Sequence, residues 1–128
     1  MSLLDHEHPV FVYGSLKRGQ PNHRLLMDAE FLGHGRTEPL FALYCLGPYP
    51  AMVRESTGPI AVEGELYRIS AGLLAELDQF EARGDLYERQ LLPIDGPGGG
   101  QSQRAWAYLY LRPLASARRW PTASWTVQ

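Results

Sequence analysis

The sequence predicts a mixed α+β fold built around a curled sheet or barrel. Three observations predict this class: several short β-branched and aromatic runs, Gly and Pro residues that break them, and one amphipathic helical segment. The chain has 128 residues, of which 45% are hydrophobic, so it suits one domain with a substantial core. It contains no internal repeat and no interdomain linker.

The first predicted strand is Val10-Phe11-Val12-Tyr13, an apolar run that ends abruptly at Gly14. A short helix is expected next, over residues 23–27, with Asn22 as its N-cap. Among the apolar runs that follow, residues 60–69 alternate in the manner of a strand.

The clearest predicted helix covers residues 70–82. Ser70 is its expected N-cap, and the residues on its apolar stripe are Leu73, Leu74, Leu77 and Phe80. Two further strands are predicted over 87–95 and 104–111, joined by a glycine-rich turn at 96–100.

Composition and charge exclude several function classes. The net charge is −2 and the pI is about 6.1, which argues against a nucleic-acid partner or a membrane-surface role. The single cysteine, Cys45, provides neither an intrachain disulfide nor a Cys-rich zinc site. The polar start of the chain lacks the pattern of a secretory signal, and no apolar run is long enough to span a bilayer. We therefore expect a cytoplasmic protein without membrane association.

One terminal segment superficially resembles a metal site. His6, Glu7 and His8 lie in a polar terminus with no supporting ligand, so we expect disorder there and no bound metal. The predicted organisation is a flexible N-terminus over 1–8, a domain over 9–112, and a C-terminal tail over 113–128 that packs on the domain or trails from it.

Glu81 is the most informative residue of the predicted helix. At about 100° per residue, its side chain projects between Leu74 and Leu77, inside the apolar stripe. Burial penalises the charged form of a carboxylate and raises its pKa, as a general acid/base working near neutral pH requires. The alternative is that the helix ends near Phe80 and Glu81 turns to solvent.

The turn Tyr13-Gly14-Ser15-Leu16 is the second candidate site. A glycine directly after a buried strand lets the backbone turn sharply and approach a ligand closely. The amides that follow, including that of Lys17, are then suited to bind a carboxylate or an oxyanion. The alternative is a plain turn that ends the strand.

Two sharper interpretations of this turn are excluded by the residues around it. A phosphate-binding P-loop requires Lys-Ser/Thr where Gln20-Pro21 stands, and a hydrolase nucleophile elbow requires glycine where Tyr13 stands. A Ser-His-Asp arrangement of Ser15 with His23 or His34 stays formally open.

Three segments, in this order and at this separation, resemble the γ-glutamylcyclotransferase-like (AIG2-like) superfamily. They are VFVYGSL at 10–16, LDQFE at 77–81 and YER at 87–89. The stretch YGSLKRGQPNH at 13–23 is especially similar to the γ-glutamylamine cyclotransferases. The resemblance covers about residues 9–111. One departure follows Glu81, where the family often has glycine and this chain has Ala82.

The resemblance implies a small mixed β-barrel flanked by a few helices, with the 13–16 turn and Glu81 lining one cavity. It also implies an enzyme that uses no metal or organic cofactor and acts on a small γ-glutamyl substrate. The substrate's α-amino group attacks its own γ-carbonyl, which releases 5-oxoproline and an amine. Glu81 is then the general acid/base, and Tyr13, Gly14, Ser15 and Leu16 hold the substrate's polar groups.

The sequence also predicts positions or partners for three residues beyond the turn and Glu81. Tyr87 matches the family's Tyr-x-Arg segment and is expected to line the cavity, with a half-buried strand aromatic as the alternative. Tyr110 is a further candidate for the cavity, although aromatic residues at alternate strand positions commonly serve packing. Arg89 is expected to pair with a structural carboxylate such as Glu63 or Glu65, with a carboxylate of the substrate as the alternative.

Two matters stay open at this point. The chain is either an active γ-glutamyl cyclotransferase or a non-catalytic relative that binds a small carboxylated metabolite or a partner in the same cavity. Glu81 favours the enzyme, because a binder has no need for a carboxylate in an apolar stripe. We expect a monomer or a weak homodimer.

Overall fold

The computed structural model describes residues 8–96 and 102–126. The described helices are one α-helix, α1 (Ala71–Phe80), and one 3₁₀ helix (His23–Leu26). The strands are β1 (His8–Val12), β2 (Glu30–Thr37), β3 (Phe41–Cys45), β4 (Pro50–Arg54), β5 (Glu63–Ile69), β6 (Tyr87–Asp95), β7 (Ser102–Tyr110) and β8 (Arg118–Arg119).

Five of these strands close into a barrel in the order β1-β5-β2-β6-β7. All neighbours are antiparallel except β1 and β7, which meet in parallel where Val10 pairs with Trp106. The remaining strands form a small second sheet in the order β4-β3-β8. The expected α+β fold with a small mixed barrel is therefore confirmed.

The two faces of β1 bury their side chains in different parts of the core, as the alternation of a strand dictates. Phe11 packs with Phe41, Leu66 and other residues of both sheets. Val10 and Val12 pack in a second cluster, which contains the buried residues of α1 and of the 3₁₀ helix. This second cluster fixes α1 against the barrel and so determines where the end of the helix lies.

Most predicted elements appear close to their expected bounds. Strand β6 has the predicted bounds, and Ser70 caps α1 by accepting a hydrogen bond from Leu73 N over 3.1 Å. The strand expected over 60–69 begins at Glu63. Asn22 occupies the N-cap position of the 3₁₀ helix, as predicted, but its side chain makes no capping bond and instead donates to Ser15 Oγ over 3.0 Å.

The C-terminal segment contributes to the packing of the domain. Trp125 is fully buried in the core shared by the two sheets, and Glu63 N donates to Ala123 O over 2.9 Å. Strand β8 pairs with β3. The expectations for residues 1–7, including His6, and for most of the 96–100 turn lie outside the described residues.

No helix in the described part of the chain is long and apolar enough to cross a membrane.

Candidate active site

A cavity of about 370 Å³ opens beside the ends of β1 and α1. Six of the seven predicted site residues line it: Tyr13, Gly14, Ser15, Leu16, Glu81 and Tyr87. The segment 48–50 and Tyr108 complete much of the remaining wall. The two parts of the chain that the sequence singled out independently, the turn after β1 and the end of α1, therefore face the same space.

The end of α1 is a Schellman motif, which explains how Glu81 reaches the cavity. Arg83 N donates to Asp78 O over 2.9 Å and Ala82 N donates to Gln79 O over 3.1 Å, the two bonds that define this helix ending. Ala82 adopts φ +49°, a left-handed conformation that glycine usually provides. The helix does end at Phe80, but the chain reverses so that Glu81 borders the cavity.

Glu81 is partly buried, and its carboxyl group accepts no hydrogen bond from the described part of the chain. Burial raises its pKa from 4.5 to about 7. Among the described residues, no hydrogen bond or ion pair of this carboxylate offsets that effect. Close to neutral pH such a group is present in both protonation states, so it can accept a proton and return it.

Asp78, one turn earlier on the same helix, has the opposite environment. It accepts hydrogen bonds from Tyr108 OH over 2.7 Å and from Arg89 Nε over 2.8 Å, and Arg83 adds an ion pair over 3.2 Å. Although burial opposes it, these bonds hold the pKa of Asp78 below its usual value. Two neighbouring carboxyls with divergent pKa values, one supported and one not, are typical of an acid/base site.

The partner of Arg89 differs from the prediction. Its guanidinium binds Asp78 and neither Glu63 nor Glu65, since β6 lies against α1. The role expected for it is structural, and the contact ties the helix that carries Glu81 to the barrel.

Gly14 is needed for packing against a neighbouring strand. A Cβ atom there would lie 2.7 Å from Pro50 Cδ and 2.9 Å from Pro50 Cγ, closer than real carbon contacts permit. Its φ angle is outside the left-handed region. The close approach that the sequence predicts is therefore made by the first residue of β4, which forms part of the cavity wall.

The backbone after Gly14 supplies donors to the site. The N–H group of Lys17 is used inside the turn, where it donates to Gly14 O over 3.1 Å. The N–H groups of Ser15 and Leu16 donate to no atom of the described residues. Both residues are buried and line the cavity, so two amide donors are available there for a carboxylate or an oxyanion.

The side chain of Ser15 is held by an amide and not by a histidine. Its hydroxyl accepts from Asn22 Nδ2, whereas His23 Nδ1 lies 2.9 Å from the carbonyl oxygen of Leu16. In the described part of the chain Ser15 therefore has no histidine partner, and no Ser-His-Asp arrangement forms around it.

Tyrosine hydroxyls brace the wall of the cavity. Tyr13 OH donates to the carbonyl oxygen of Tyr108, and Tyr87 OH donates to that of Pro50 over 2.7 Å. Burial, followed by the nearby charge of Glu81, raises the pKa of Tyr87, so it stays protonated at neutral pH. Tyr87 lines the cavity, as predicted.

Two other residues that the sequence singled out, Tyr110 and Lys17, lie outside the cavity lining. Tyr110 is absent from the cavity wall, and its ring packs edge-on against that of Tyr87 with centroids 5.3 Å apart. The side chain of Lys17 is buried and donates to Ser124 Oγ over 3.2 Å. Burial lowers the pKa of Lys17.

Several residues in or next to the site were not predicted from the sequence, among them Pro50, Asp78 and Tyr108. Asp78 lies at the edge of the helical wheel, and only the packing of β6 and β7 against α1 shows that it anchors the helix. Pro50 and Tyr108 approach the turn from strands that are distant in sequence. An aromatic position on β7 was a detectable signal, but it favoured Tyr110 and Tyr108 equally.

A family match, two relatives and one solved structure all relate this chain to the same family. Residues 10–127 match the family described as "Gamma-glutamyl cyclotransferase, AIG2-like". The γ-glutamylcyclotransferase family protein YtfP of Escherichia coli K12 is 40% identical over 116 residues, which cover 91% of this chain and 94% of that protein. The γ-glutamylaminecyclotransferase of Rattus norvegicus is 36% identical over 112 residues, covering 77% and 75%. The crystal structure of an AIG2-like protein from Mus musculus superimposes with a TM-score of 0.79 at 30% identity, covering 94% of this chain and 88% of that one.

Proposed function

The chain belongs to the γ-glutamyl cyclotransferase, AIG2-like family, and from this premise we propose that it releases 5-oxoproline and a free amine from γ-glutamyl amines or peptides. The observation that carries the proposal is the pairing of Glu81 with the 13–16 turn in one cavity. A carboxyl group with a pKa of about 7 lies there with two unpaired backbone N–H groups. These are the groups that an intramolecular acyl transfer needs.

The reaction begins with a proton transfer. The substrate's α-ammonium group gives a proton to the carboxylate of Glu81, which leaves a neutral amine. The amine nitrogen attacks the γ-carbonyl carbon, and a new C–N bond closes the five-membered ring. A raised pKa matches Glu81 to this task, since a carboxylate with a pKa near 4.5 would be too weak a base.

The second step breaks the original amide. Glu81 gives its proton to the departing nitrogen, the old C–N bond breaks, and the amine leaves with 5-oxoproline as the other product. The ring nitrogen also gives up its second proton, which the released amine takes up as it becomes an ammonium ion. Atoms and charge then balance without water, and Glu81 returns to its starting state. The N–H groups of Ser15 and Leu16 are suited to hold the substrate's carboxylate or the oxygen that becomes negative during attack.

Orientation supplies much of the rate in such a cyclisation. The nucleophile and the electrophile belong to one substrate molecule. The protein therefore has only to hold that substrate in the bent conformation in which its amino group lies against its γ-carbonyl. A wall braced by the Tyr87–Pro50 and Tyr13–Tyr108 hydrogen bonds supports such a role.

The proposal is tested by incubating the purified protein with γ-glutamyl-ε-lysine, γ-glutamyl amino acids, γ-glutamyl alkylamines and glutathione. The amount of 5-oxoproline and of free amine is then measured by mass spectrometry. We expect equal molar amounts of both products from at least one compound. Binding of these compounds without turnover, detected by calorimetry on folded protein, would favour the non-catalytic alternative.

A further inference from the structure

The cavity contains one charged side chain, Glu81, among the described residues that line it. Arginine, lysine and histidine are missing from that lining. Three of the four lining tyrosines, Tyr13, Tyr87 and Tyr108, donate their hydroxyls to protein acceptors. The donors left for a carboxylate deep in the cavity include the unpaired N–H groups of Ser15 and Leu16 and the hydroxyl of Ser15, which accepts from Asn22 and donates to no described atom. The site is therefore equipped for one substrate carboxylate.

The open side of the cavity is apolar. Tyr49 and Phe80 are 41% and 42% exposed and lie at this mouth with the exposed Pro21 and Pro48. Tyr49 is the lining tyrosine whose hydroxyl has no hydrogen bond within the described chain. We call these four residues the apolar rim. They contrast with the buried end of the cavity, where the polar groups of the 13–16 turn lie.

The chemistry sets the direction in which a substrate enters. Its α-amino group and γ-carbonyl must reach Glu81, and its α-carboxylate needs the amide donors of the turn. Both lie on the buried side, so the substituent of the leaving amine is directed towards the apolar rim. On the premise of the proposed function, we infer that the preferred leaving amine carries an apolar, uncharged substituent such as an arylalkyl or alkyl group.

Two physical effects favour such an amine. Apolar groups gain free energy when they cover the exposed faces of Tyr49 and Phe80. A second carboxylate, as in a γ-glutamyl amino acid, would lose water at the rim without meeting a cation in the lining. A second ammonium group would meet no carboxylate there other than Glu81, which is needed for proton transfer.

Arg24 is the cation that could weaken this discrimination. Its guanidinium donates to Pro21 O over 3.2 Å and to Asn22 Oδ1 over 3.3 Å, next to the rim but outside the cavity lining. The side chain is exposed, where solvent and salt screen its attraction for a distant carboxylate. Its contribution can be measured by substitution.

Matched substrates test the inference. γ-Glutamyl-phenylalanine and γ-glutamyl-phenylalaninamide differ only in a carboxylate and a carboxamide of similar size. γ-Glutamyl-cadaverine and γ-glutamyl-hexylamine differ in an ammonium and a methyl group. We expect kcat/KM to be about tenfold or more higher for the uncharged member of each pair, the discrimination that one polar mismatch can give. Equal values, or a preference for the charged members, would overturn the inference and leave the proposed function standing.

Substitutions then locate the effect. Phe80→Lys places a cation on the rim and should reduce the preference for the phenylalaninamide compound, whereas Arg24→Gln should leave it within about twofold. An unchanged preference in Phe80→Lys, in protein with wild-type thermal unfolding, would refute the role of the rim. Release of 5-oxoproline from none of the four compounds or of the earlier panel would overturn the proposed function, and this inference with it.

Discussion

The hydroxyl group of Tyr87 donates a hydrogen bond to the backbone carbonyl of Pro50 over 2.7 Å. Tyr87 begins β6, shortly after the reversal that follows Glu81, and Pro50 begins β4 and covers Gly14. A single buried contact therefore connects the Glu81 side of the cavity to the strand that packs on the 13–16 turn.

Removal of this hydroxyl should loosen the site. In Tyr87→Phe the carbonyl of Pro50 stays buried without its donor, which we expect to cost about 1–3 kcal/mol of unfolding free energy. kcat/KM should fall about tenfold, because the 48–50 segment loses its hydrogen bond to β6. Tyr110→Phe is the control, because that ring lies next to Tyr87, outside the cavity lining. Equal effects of the two substitutions on kcat/KM would contradict this role of the hydroxyl.

Gly14 should tolerate no side chain. In Gly14→Ala the new methyl group meets the ring of Pro50 at 2.7 Å, so the turn or β4 must move. We expect a loss of about 1–3 kcal/mol in chemical denaturation, together with reduced 5-oxoproline release. Gly72→Ala, on the exposed side of α1 where the nearest atom is 3.9 Å away, should instead be neutral or stabilising. A wild-type stability and activity of Gly14→Ala would show that the contact is not required.

Ala82 offers a stabilising substitution. Its φ of +49° is strained for a residue with a Cβ atom, and glycine adopts this conformation freely. Ala82→Gly should raise the unfolding free energy by about 0.5–1 kcal/mol, the balance of relieved strain against the greater entropy of unfolded glycine. Urea denaturation measures the change, and a clear loss of stability would contradict the Schellman assignment.

The raised pKa of Glu81 makes folding depend on pH. The folded state holds the proton up to a pKa of about 7 and the unfolded state only to about 4.5. Between these values the folded state binds more protons, so the contribution of Glu81 to stability falls as pH rises. Glu81→Gln removes the cost of ionisation and should be more stabilising at pH 8 than at pH 4, by on the order of 3 kcal/mol at most.

The control for this measurement is Glu76→Gln on the exposed side of the same helix, which should show little difference between the two pH values. If the two substitutions have the same pH dependence, the carboxyl of Glu81 is not enclosed.

The sequence indicated both halves of the site because each breaks a local rule. A carboxylate within the apolar stripe of Leu74 and Leu77 is unfavourable unless it has a use, and that conflict identified Glu81. The glycine after β1 was equally visible. The sequence did not show why a glycine is required at position 14, because Pro50 reaches Gly14 only through the packing of a separate sheet.

Long-range polar partners were the part that local patterns could not supply. Asp78 binds Tyr108 and Arg89 across 30 and 11 residues of sequence, and nothing in its own helix specifies those partners. Asn22 had the residue type of an N-cap, but Ser15 competes for its side chain. Helical and strand periods predicted the elements, and tertiary contacts decided which polar side chains met.

The pH dependence of 5-oxoproline release, measured for the wild type, Glu81→Gln and Glu76→Gln with one accepted γ-glutamyl amine, tests the role of Glu81 most directly. We predict that kcat/KM of the wild type and of Glu76→Gln rises with pH through an apparent pKa of about 7, because the carboxylate form of Glu81 accumulates over this range. Glu81→Gln should lose about 10²-fold or more in rate and the dependence on that pKa. Release by Glu81→Gln at the wild-type rate, with the same rise near pH 7, would contradict the assignment of Glu81 as the acid/base group.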